Sequence, residues 1–440
     1  MMIRTFAAAC FAALSSALPL HAEVDIQEVT TPGGITAWLV EEPSIPFVAL
    51  EIRFKGGTSL DAPGKRGAIN LMTGLLEEGA GDLDSRAFAA ARDGLAAGFG
   101  YDSYDDSFSV SAEFLTETAD EALELLRLSL REPRFEQADI DRVKAQVQSG
   151  IDSDKTDPDT IAQDTFAKLA FGDHPYGSAP SGTTESLAAL TRDDLLEAVD
   201  RVMARDRLYV AAVGDVDAET LSIWLDRLFA DLPETGAPMP EAVPYAVESG
   251  VTVVPFDTPQ SVVVFAQNGI PRDDERFFEA YLAMQVLGGG GFNNRLMEEV
   301  RVKRGLTYGI GAYLSPRDYS ETISGGFSSD NGKVAEAIAI VQDEWRRMRE
   351  EGLSDEEVQR VKTYLTGAYP LRFDGNARIA RILVGMQMED LGLDYVNTRN
   401  ARIDAVTDEE LTAFIDDVLD PDGLHFVVVG QPEGLEATAN

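Results

Sequence analysis

The sequence predicts an α+β protein of two homologous halves, each with antiparallel or mixed β-sheets packed by α-helices and joined by a proline-rich linker. Three observations support this prediction. An internal repeat relates the two parts of the chain, prolines cluster midway, and strand-like runs lie beside helical runs in both parts. Such mixing favours layers in which helices pack on antiparallel sheets.

Three segments of the first half recur in the second half in the same order. Leu208–Gly214 matches Leu424–Gly430, and Leu190–Leu195 matches Val406–Leu411; both pairs are 216 positions apart. Upstream, Arg142-Val143-Lys144 recurs as Arg360-Val361-Lys362 after 218 positions. Constant order and nearly constant spacing indicate a tandem duplication.

The join between the halves is marked by four prolines among the 13 residues 232–244. So many prolines exclude a helix or a central strand and favour an extended linker. We therefore predict a signal peptide at 1–22, a first half at 23–232, a linker at 233–248 and a second half at 249–435.

Local patterns predict strands and helices in each half. Strands are predicted at Phe47–Phe54, Ser107–Phe114, Val251–Val254, Ser261–Phe265 and Thr322–Phe327. Helices are predicted at Ala119–Leu130, Thr191–Ala204, Val334–Glu350 and Asp408–Val418. Thr191 and Thr407 are candidate N-caps, each with an acidic residue three positions on that completes a capping box.

The first 22 residues are typical of a secretory signal peptide. Arg4 gives the positive start, residues 5–20 are mostly apolar or small, and residues 20–22 offer a cleavage site. Pro19 and two serines leave too few apolar residues for a membrane span. Cys10, the only cysteine, lies inside this segment, so the mature chain has neither a disulfide nor a thiolate metal site. These features predict a periplasmic protein.

The net charge of the chain limits the kinds of partner that it can bind. The 440-residue chain carries 37 basic and 76 acidic side chains, a net charge of −39. Such a potential repels nucleic acid and anionic membranes. It favours basic peptides or a basic partner, although a surface acidified for solubility explains the charge equally well.

Several motifs together resemble the M16 (pitrilysin/insulinase) peptidases, specifically the shorter bacterial (M16B) and mitochondrial-processing type. The resemblance covers about residues 24–435 and implies a LuxS/MPP-like metallohydrolase fold. The segments that carry it are Gly56–Pro63, Gly67–Gly74, Phe171–Gly177, Gly182-Thr183, Leu287–Leu296 and Val300–Tyr308.

In active members of this family, one helix of the first half carries His-x-x-Glu-His. Histidines at i and i+4 lie on one helical face and can both reach one zinc ion, and the glutamate polarises the attacking water. The resemblance aligns this motif with Asn70, Thr73 and Gly74, and a third, glutamate ligand with the neighbourhood of Ser149-Gly150. The chain therefore resembles an inactive member with a degenerate zinc motif.

No other residues replace that site. The mature chain has two histidines, His174 in a Gly/Pro loop and His425 in an apolar strand, and we interpret both as packing or hydrogen-bonding residues. A carboxylate-only site would suit calcium or magnesium rather than catalytic zinc. We expect no metal or other cofactor in this chain.

In the second half, the resemblance implies a substrate-contacting pair, Arg-x6-Tyr, at Arg301 and Tyr308. A guanidinium or a phenol can donate hydrogen bonds to a substrate carbonyl or to the oxyanion that forms on attack. The structural alternative is that Arg301 pairs with an acidic neighbour and Tyr308 packs at a sheet edge. Gly288–Gly291 is either a flexible loop that lets peptide approach or a simple turn; it lacks the residues of a phosphate loop.

The resemblance also implies a function for the chain as a whole. Some bacterial members resemble split enzymes, in which one subunit holds the zinc and a zinc-less subunit carries the Arg/Tyr pair. We expect a heterodimer with an M16 homologue that keeps His-x-x-Glu-His and the zinc, acting on extended peptides. The alternatives are a non-enzymatic scaffold or peptide-binding pseudopeptidase and, less favoured, a free-standing peptidase that uses other residues.

Overall fold

The computed structural model describes residues 25–438, so the predicted signal peptide and Cys10 lie outside the described residues. The strands of the first half are β1 (Gln27–Thr30), β2 (Thr36–Glu41), β3 (Phe47–Lys55), β4 (Gly79–Ala80), β5 (Leu83–Asp84), β6 (Gly98–Ser103), β7 (Ser107–Leu115) and β8 (Leu208–Gly214). Those of the second half are β9 (Gly250–Pro255), β10 (Gln260–Asn268), β11 (Thr307–Arg317), β12 (Ser320–Asp330) and β13 (His425–Gly430).

Helices surround these strands. In the first half they are α1 (Ala68–Thr73), α2 (Ser85–Gly94), α3 (Ala119–Arg131), α4 (Gln137–Asp154), α5 (Pro158–Phe171), α6 (Thr184–Ala189), α7 (Arg192–Val202) and α8 (Ala218–Leu228). In the second half they are α9 (Phe277–Leu287), α10 (Val334–Glu351), α11 (Asp355–Ala368), α12 (Asn376–Met388), α13 (Tyr395–Ala405) and α14 (Asp408–Val418). A π-helical turn follows α9 at Met297–Val302.

The two halves carry sheets of the same topology, except that, within residues 25–438, the six-stranded sheet of the first half has one additional edge strand, β1, that the five-stranded sheet of the second half lacks. The strand order is β1-β2-β8-β3-β7-β6 in the first half and, from the opposite edge, β9-β13-β10-β12-β11 in the second. β2 is parallel to β8 as β9 is parallel to β13, and the other neighbouring strands are antiparallel in both sheets. The predicted fold class, two homologous α+β halves with mixed sheets, is confirmed.

One helix of each half packs on the sheet of the other half. Ala162 and Phe166 of α5 share a buried apolar cluster with Val427 of β13. In the reverse direction, Val384 of α12 shares one with Ala211 of β8. Each sheet is therefore covered on both faces, by helices of its own half on one side and by the exchanged helix on the other. This explains why β8 and β13 are nearly continuous apolar runs rather than alternating ones.

A lysine contact is repeated in both halves. Lys144 on α4 donates from Nζ to the carbonyl oxygen of Leu190 at 2.5 Å, and Lys362 on α11 donates to that of Val406, also at 2.5 Å. Both lysines belong to the sequence repeat, and both carbonyls lie at the N-terminal end of a helix, α7 or α14. The duplication is thus visible in side-chain contacts as well as in topology.

The predicted helix starts at Thr191 and Thr407 are confirmed, because both residues are N-caps of complete capping boxes. The predicted strands and helices are present, with ends that differ by up to three residues. Between the end of α8 and the start of β9 at Gly250 the chain has neither helix nor strand, and the predicted linker falls within this stretch. Across residues 25–438, the helices are too short or too polar to cross a membrane.

Candidate functional site

Helix α1, where the resemblance aligns the degenerate zinc motif, is fixed at its start by a buried carboxylate. Asp61 accepts hydrogen bonds from the backbone N–H groups of Gly67 and Ile69, both at 2.9 Å. Burial raises the pKa of Asp61, while these bonds and the Arg66 guanidinium oppose the rise. Arg66 also bonds the carbonyl oxygens of the loop that precedes α6, so α1 is tied to the rest of the first half.

The three motif positions do not form a zinc site. Thr73 is buried, and its hydroxyl donates to the carbonyl oxygen of Ile69 at 2.7 Å, within the helix. Gly74 follows α1 as its C-cap and has no side chain to offer. Asn70 is half-buried and contributes only an amide. Catalytic zinc requires imidazole, thiolate or carboxylate ligands, so these residues do not fit the ion.

The region expected to hold the third ligand does not supply one either. Ser149 and Gly150 are exposed on α4. In the described part of the chain, His, Cys, Asp and Glu side chains form no cluster of three or more that could hold a metal ion.

The two mature histidines occupy separate structural sites. The backbone N–H of Tyr176 donates to Nδ1 of His174 at 3.2 Å, and the His174 ring packs edge-on against the Tyr176 ring. His425 is buried in β13, with Nδ1 2.7 Å from the carbonyl oxygen of Glu248 and Nε2 3.0 Å from the Thr252 hydroxyl. Because a carbonyl only accepts, Nδ1 of His425 carries the proton. Burial is the main cause that lowers the pKa of both histidines.

Arg301 lies on the π-helical turn Met297–Val302 and is available for an external acceptor. Its guanidinium stands 4.5 Å above the ring of Phe292, which is 60% exposed. No carboxylate among residues 25–438 forms an ion pair with it, so the alternative in which Arg301 pairs with an acidic neighbour is not observed. A cation held over an aromatic face keeps its hydrogen-bond donors free. Short π-helical insertions are frequent at functional sites.

Tyr308 projects into solvent at a β-bulge. The pairing of β11 with β12 shifts register between Thr307 and Ile310, which leaves Tyr308 and Gly309 outside the ladder. The Thr307 hydroxyl stabilises this irregularity by bonding the carbonyl oxygens of Gly309 and Ser328 at 2.8 and 2.7 Å. Bulges re-aim side chains, and Tyr308 is 83% exposed rather than packed at the sheet edge.

The glycine-rich loop 288–291 lies beside this strand. A Cβ at Gly288 would stand 2.5 Å from the backbone nitrogen of Ala312, so only glycine allows the loop to approach β11 so closely. The side-chain amide of Asn294 donates to the carbonyl oxygens of Gly289 and Gly291, both at 3.0 Å. The loop is therefore anchored at both ends of its glycine run.

A cavity of about 670 Å³ opens between the halves. Alternate residues of β11, from Gly309 through Tyr313 to Arg317, line one wall, and α5 with the loop after it lines the other. Asp159 and Asp164 bring carboxylates to the α5 wall. Because β11 is the last strand of its sheet, its outer backbone groups have no strand partner within residues 25–438.

The floor of this cavity is a polar junction between two hairpin turns. Arg317, at the end of β11, forms an ion pair with Asp105 of the β6–β7 turn and lies over the ring of Tyr176. The Tyr176 hydroxyl donates to Asp106 at 2.5 Å. Burial raises the pKa of Asp106 to about 6 against the opposing effects of that bond and of Arg317. The junction holds the two halves in register around the cavity.

Several of these residues carried no sequence signal. Phe292 under Arg301, and Asp105 opposite Arg317, meet only through tertiary structure. The Asp105–Arg317 pair joins residues 212 positions apart. The one usable hint was the duplication itself, because it implies that equivalent hairpins of the two halves can face each other.

Comparisons with known proteins identify the family and the fold that this chain resembles. Residues 189–365 match the family described as "Peptidase M16 inactive domain". A Helicobacter pylori protein named "Non-peptidase homolog YmxG" is 25% identical over 88% of this chain and 90% of its own length. A Streptomyces coelicolor protein named an uncharacterized zinc protease is 26% identical over 91% of this chain and 88% of its own.

Among solved structures, the crystal structure of a peptidase M16 inactive domain from Pseudomonas fluorescens superposes with a TM-score of 0.87. It is 27% identical in sequence, and the alignment covers 94% of this chain and 99% of that one. A Helicobacter pylori protease with 14% identity has a TM-score of 0.83 and supports the fold alone.

Proposed function

We propose that this chain, an inactive homologue belonging to the M16 peptidase family, is the non-catalytic subunit of a periplasmic heterodimeric zinc peptidase. In this proposal the zinc belongs to a partner subunit that keeps His-x-x-Glu-His. This chain contributes Arg301 and Tyr308 to the bound substrate. The degenerate positions Asn70, Thr73 and Gly74 support the division of labour, because they leave this chain without the ligands for hydrolysis.

The observation that carries the proposal is the availability of both donors. Arg301 has no carboxylate partner in the described part of the chain, and Tyr308 is held out by a bulge. Neither arrangement serves the packing of this chain alone, since an exposed phenol and an unpaired guanidinium contribute little to stability. Both groups suit the stabilisation of a peptide carbonyl whose oxygen gains negative charge during attack.

The cavity between the halves supports an extended peptide as the substrate. The outer edge of β11 has no strand partner among residues 25–438, and of its backbone groups the N–H of Ala312 donates to the Gly288 carbonyl oxygen. Extended peptides bind such edges by adding a strand. The acidic wall formed by Asp159 and Asp164, together with the net charge of −39, favours peptides with basic side chains.

The test is reconstitution with an M16 homologue from the same organism that carries an intact His-x-x-Glu-His. Arg301→Ala should lower the peptidase rate of the complex by about 10²–10³-fold, the usual effect of losing one oxyanion donor. Tyr308→Phe should act in the same direction. Assembly, measured by size-exclusion chromatography with light scattering, should stay intact.

Arg304→Ala is the matched control. Arg304 lies three residues after Arg301, and its guanidinium donates to the Glu299 carboxylate, whereas Arg301 has no carboxylate partner in the described part of the chain. Its rate should stay near that of the wild type. An unchanged rate for Arg301→Ala would defeat the split-enzyme proposal. If peptide still bound the chain in that case, the pseudopeptidase alternative would stand in its place.

A further inference from the structure

A second cavity, of about 500 Å³, lies in the second half between the segment after α11, helix α12 and helix α13. Four arginines line it, namely Arg372, Arg378, Arg381 and Arg399. Its one acidic lining residue is Glu389. Such a concentration of guanidinium groups is unexpected in a chain where acidic residues outnumber basic ones 76 to 37. We call this space the arginine cavity.

Most of these guanidinium groups lack a counter-charge. Within residues 25–438 only Arg381 forms an ion pair, with Glu51 at 3.2 Å. Burial raises the pKa of Glu389, which weakens the one carboxylate that could compensate the others. Arg372 and Arg378 are exposed at the rim and bond no carboxylate among the described residues.

Arg399 is the most informative member, because its side chain is buried. The residue is 6% exposed, and its guanidinium stacks on the ring of Tyr369 at 4.2 Å. Nη1 bonds the carbonyl oxygen of Leu365 and the amide oxygen of Asn400, whereas Nε and Nη2 have no hydrogen-bond partner in the described chain. Arg399 therefore lines the cavity with donors that no protein acceptor occupies and with a charge that no described carboxylate pairs, which an anion in the cavity would complement.

The equivalent space in the first half provides an internal comparison. It measures about 520 Å³ and lies between α4, α5 and the loop before α6. Its basic residues are Arg66, Lys155 and Lys168, and each forms an ion pair with an aspartate. The basic residues of the first-half space are therefore all paired, whereas most arginines of the equivalent second-half space are not, as far as the described residues extend.

We propose that the arginine cavity binds a small organic anion with two or more oxyanion groups, either carboxylates or phosphates. Guanidinium groups recognise both through two parallel hydrogen bonds. They approach the cavity from three chain segments, which suits a ligand with several charged groups. Ile382, Met386 and Leu391 provide apolar contact for its carbon skeleton. The volume lies in the range of small-molecule sites, about 300–1,000 Å³.

This site involves neither Arg301 nor the cavity between the halves. The anion-binding proposal can therefore be tested independently of the proposed function. The test is titration calorimetry of the isolated chain at about 0.15 M salt, where non-specific attraction is screened. The probes are citrate for carboxylates, pyrophosphate for phosphates and glycerol as an uncharged control. At least one anion should bind with a Kd below about 1 mM, and glycerol should not bind.

The double variant Arg372→Gln/Arg378→Gln should weaken that binding by about tenfold or more. Both side chains are exposed and make no ion pair, so the fold should tolerate their loss; if the pair does not fold, the single variants serve. Arg86→Gln is the control, since Arg86 is an exposed arginine on α2, outside the cavity lining.

A preference for citrate or for pyrophosphate would assign the oxyanion. The proposal is wrong if neither anion binds, if the double variant binds as tightly as the wild type, or if Arg86→Gln weakens binding equally.

Discussion

Glu51 is a buried carboxylate at the contact between the halves, and its replacement gives a quantitative prediction. It lies on β3, on the face of the first sheet that α12 covers, and is 3% exposed. The only hydrogen-bond partner of its carboxylate within residues 25–438 is Arg381 of α12, at 3.2 Å. The Arg381 side chain is 58% exposed, so water screens much of the attraction that would favour ionised Glu51. Burial therefore dominates and raises the pKa of Glu51 from 4.5 to about 7.

The raised pKa makes stability depend on pH with a definite sign. Below pH 4.5 the carboxyl group is protonated in both the folded and the unfolded chain and costs nothing. Between pH 4.5 and 7 the unfolded chain ionises first, so the free energy of unfolding falls as the pH rises. The gap between 4.5 and about 7 corresponds to on the order of 3 kcal/mol. Glu51→Gln removes the ionisation, so we expect this variant to be more stable than the wild type by up to about 3 kcal/mol at pH 8.

The measurement is urea unfolding of wild type and Glu51→Gln at several pH values from 4.5 to 8. The other titrating groups are common to both proteins, so the difference between the two free energies isolates Glu51. Glu28→Gln, which removes an exposed carboxylate from β1, should show a nearly constant difference from the wild type. If the difference for Glu51→Gln were equally flat, burial would not control this carboxylate and the reasoning would be refuted.

Two further predictions concern packing and the repeated lysine contact. A Cβ at Gly325 would lie 2.3 Å from the ring of Phe265 and 2.4 Å from the carbonyl oxygen of Gly311. Gly325→Ala should therefore lower the free energy of unfolding in urea by about 1–3 kcal/mol, and an unchanged unfolding midpoint would contradict this prediction. Lys144→Met and Lys362→Met should each lower the free energy of unfolding by about 1.5–3 kcal/mol in the same assay, because each removes charged, part-buried hydrogen bonds to backbone carbonyls. Markedly unequal losses would show that the two contacts are not equivalent.

Much of the fold could be predicted because the same strand and helix patterns occur in both copies of the duplicated sequence. The strand Leu208–Gly214 and its counterpart Leu424–Gly430 are apolar in both copies, and Thr191 and Thr407 cap helices in both. What the repeat could not predict is the exchange of α5 and α12. Whether a helix packs on its own sheet or on the other one depends on the geometry of the linker and the junction, which leaves no local pattern in the sequence.

The candidate site divides in the same way. The loss of the zinc ligands at Asn70, Thr73 and Gly74 could be predicted from residue types alone, because zinc binding requires particular side chains. The exposure of Tyr308 and the lack of a carboxylate partner for Arg301 among residues 25–438 could not be predicted from the sequence, since they depend on a bulge at Thr307 and on an aromatic ring contributed by Phe292. Sequence left the pairing of Arg301 with an acid as an open alternative, and only three-dimensional contacts could decide against it.

The duplication also indicates where function has diverged from structure. Features that both halves keep, such as the sheet order and the Lys144 and Lys362 contacts, serve folding, because the same framework needs them twice. Features that occur in only one half are not required by the shared framework. The unpaired arginines around Arg399 are of this second kind, because the basic residues that line the equivalent space of the first half all form ion pairs. A cluster of unpaired charges that one copy carries and the other does not is best explained by a ligand that only the second half binds.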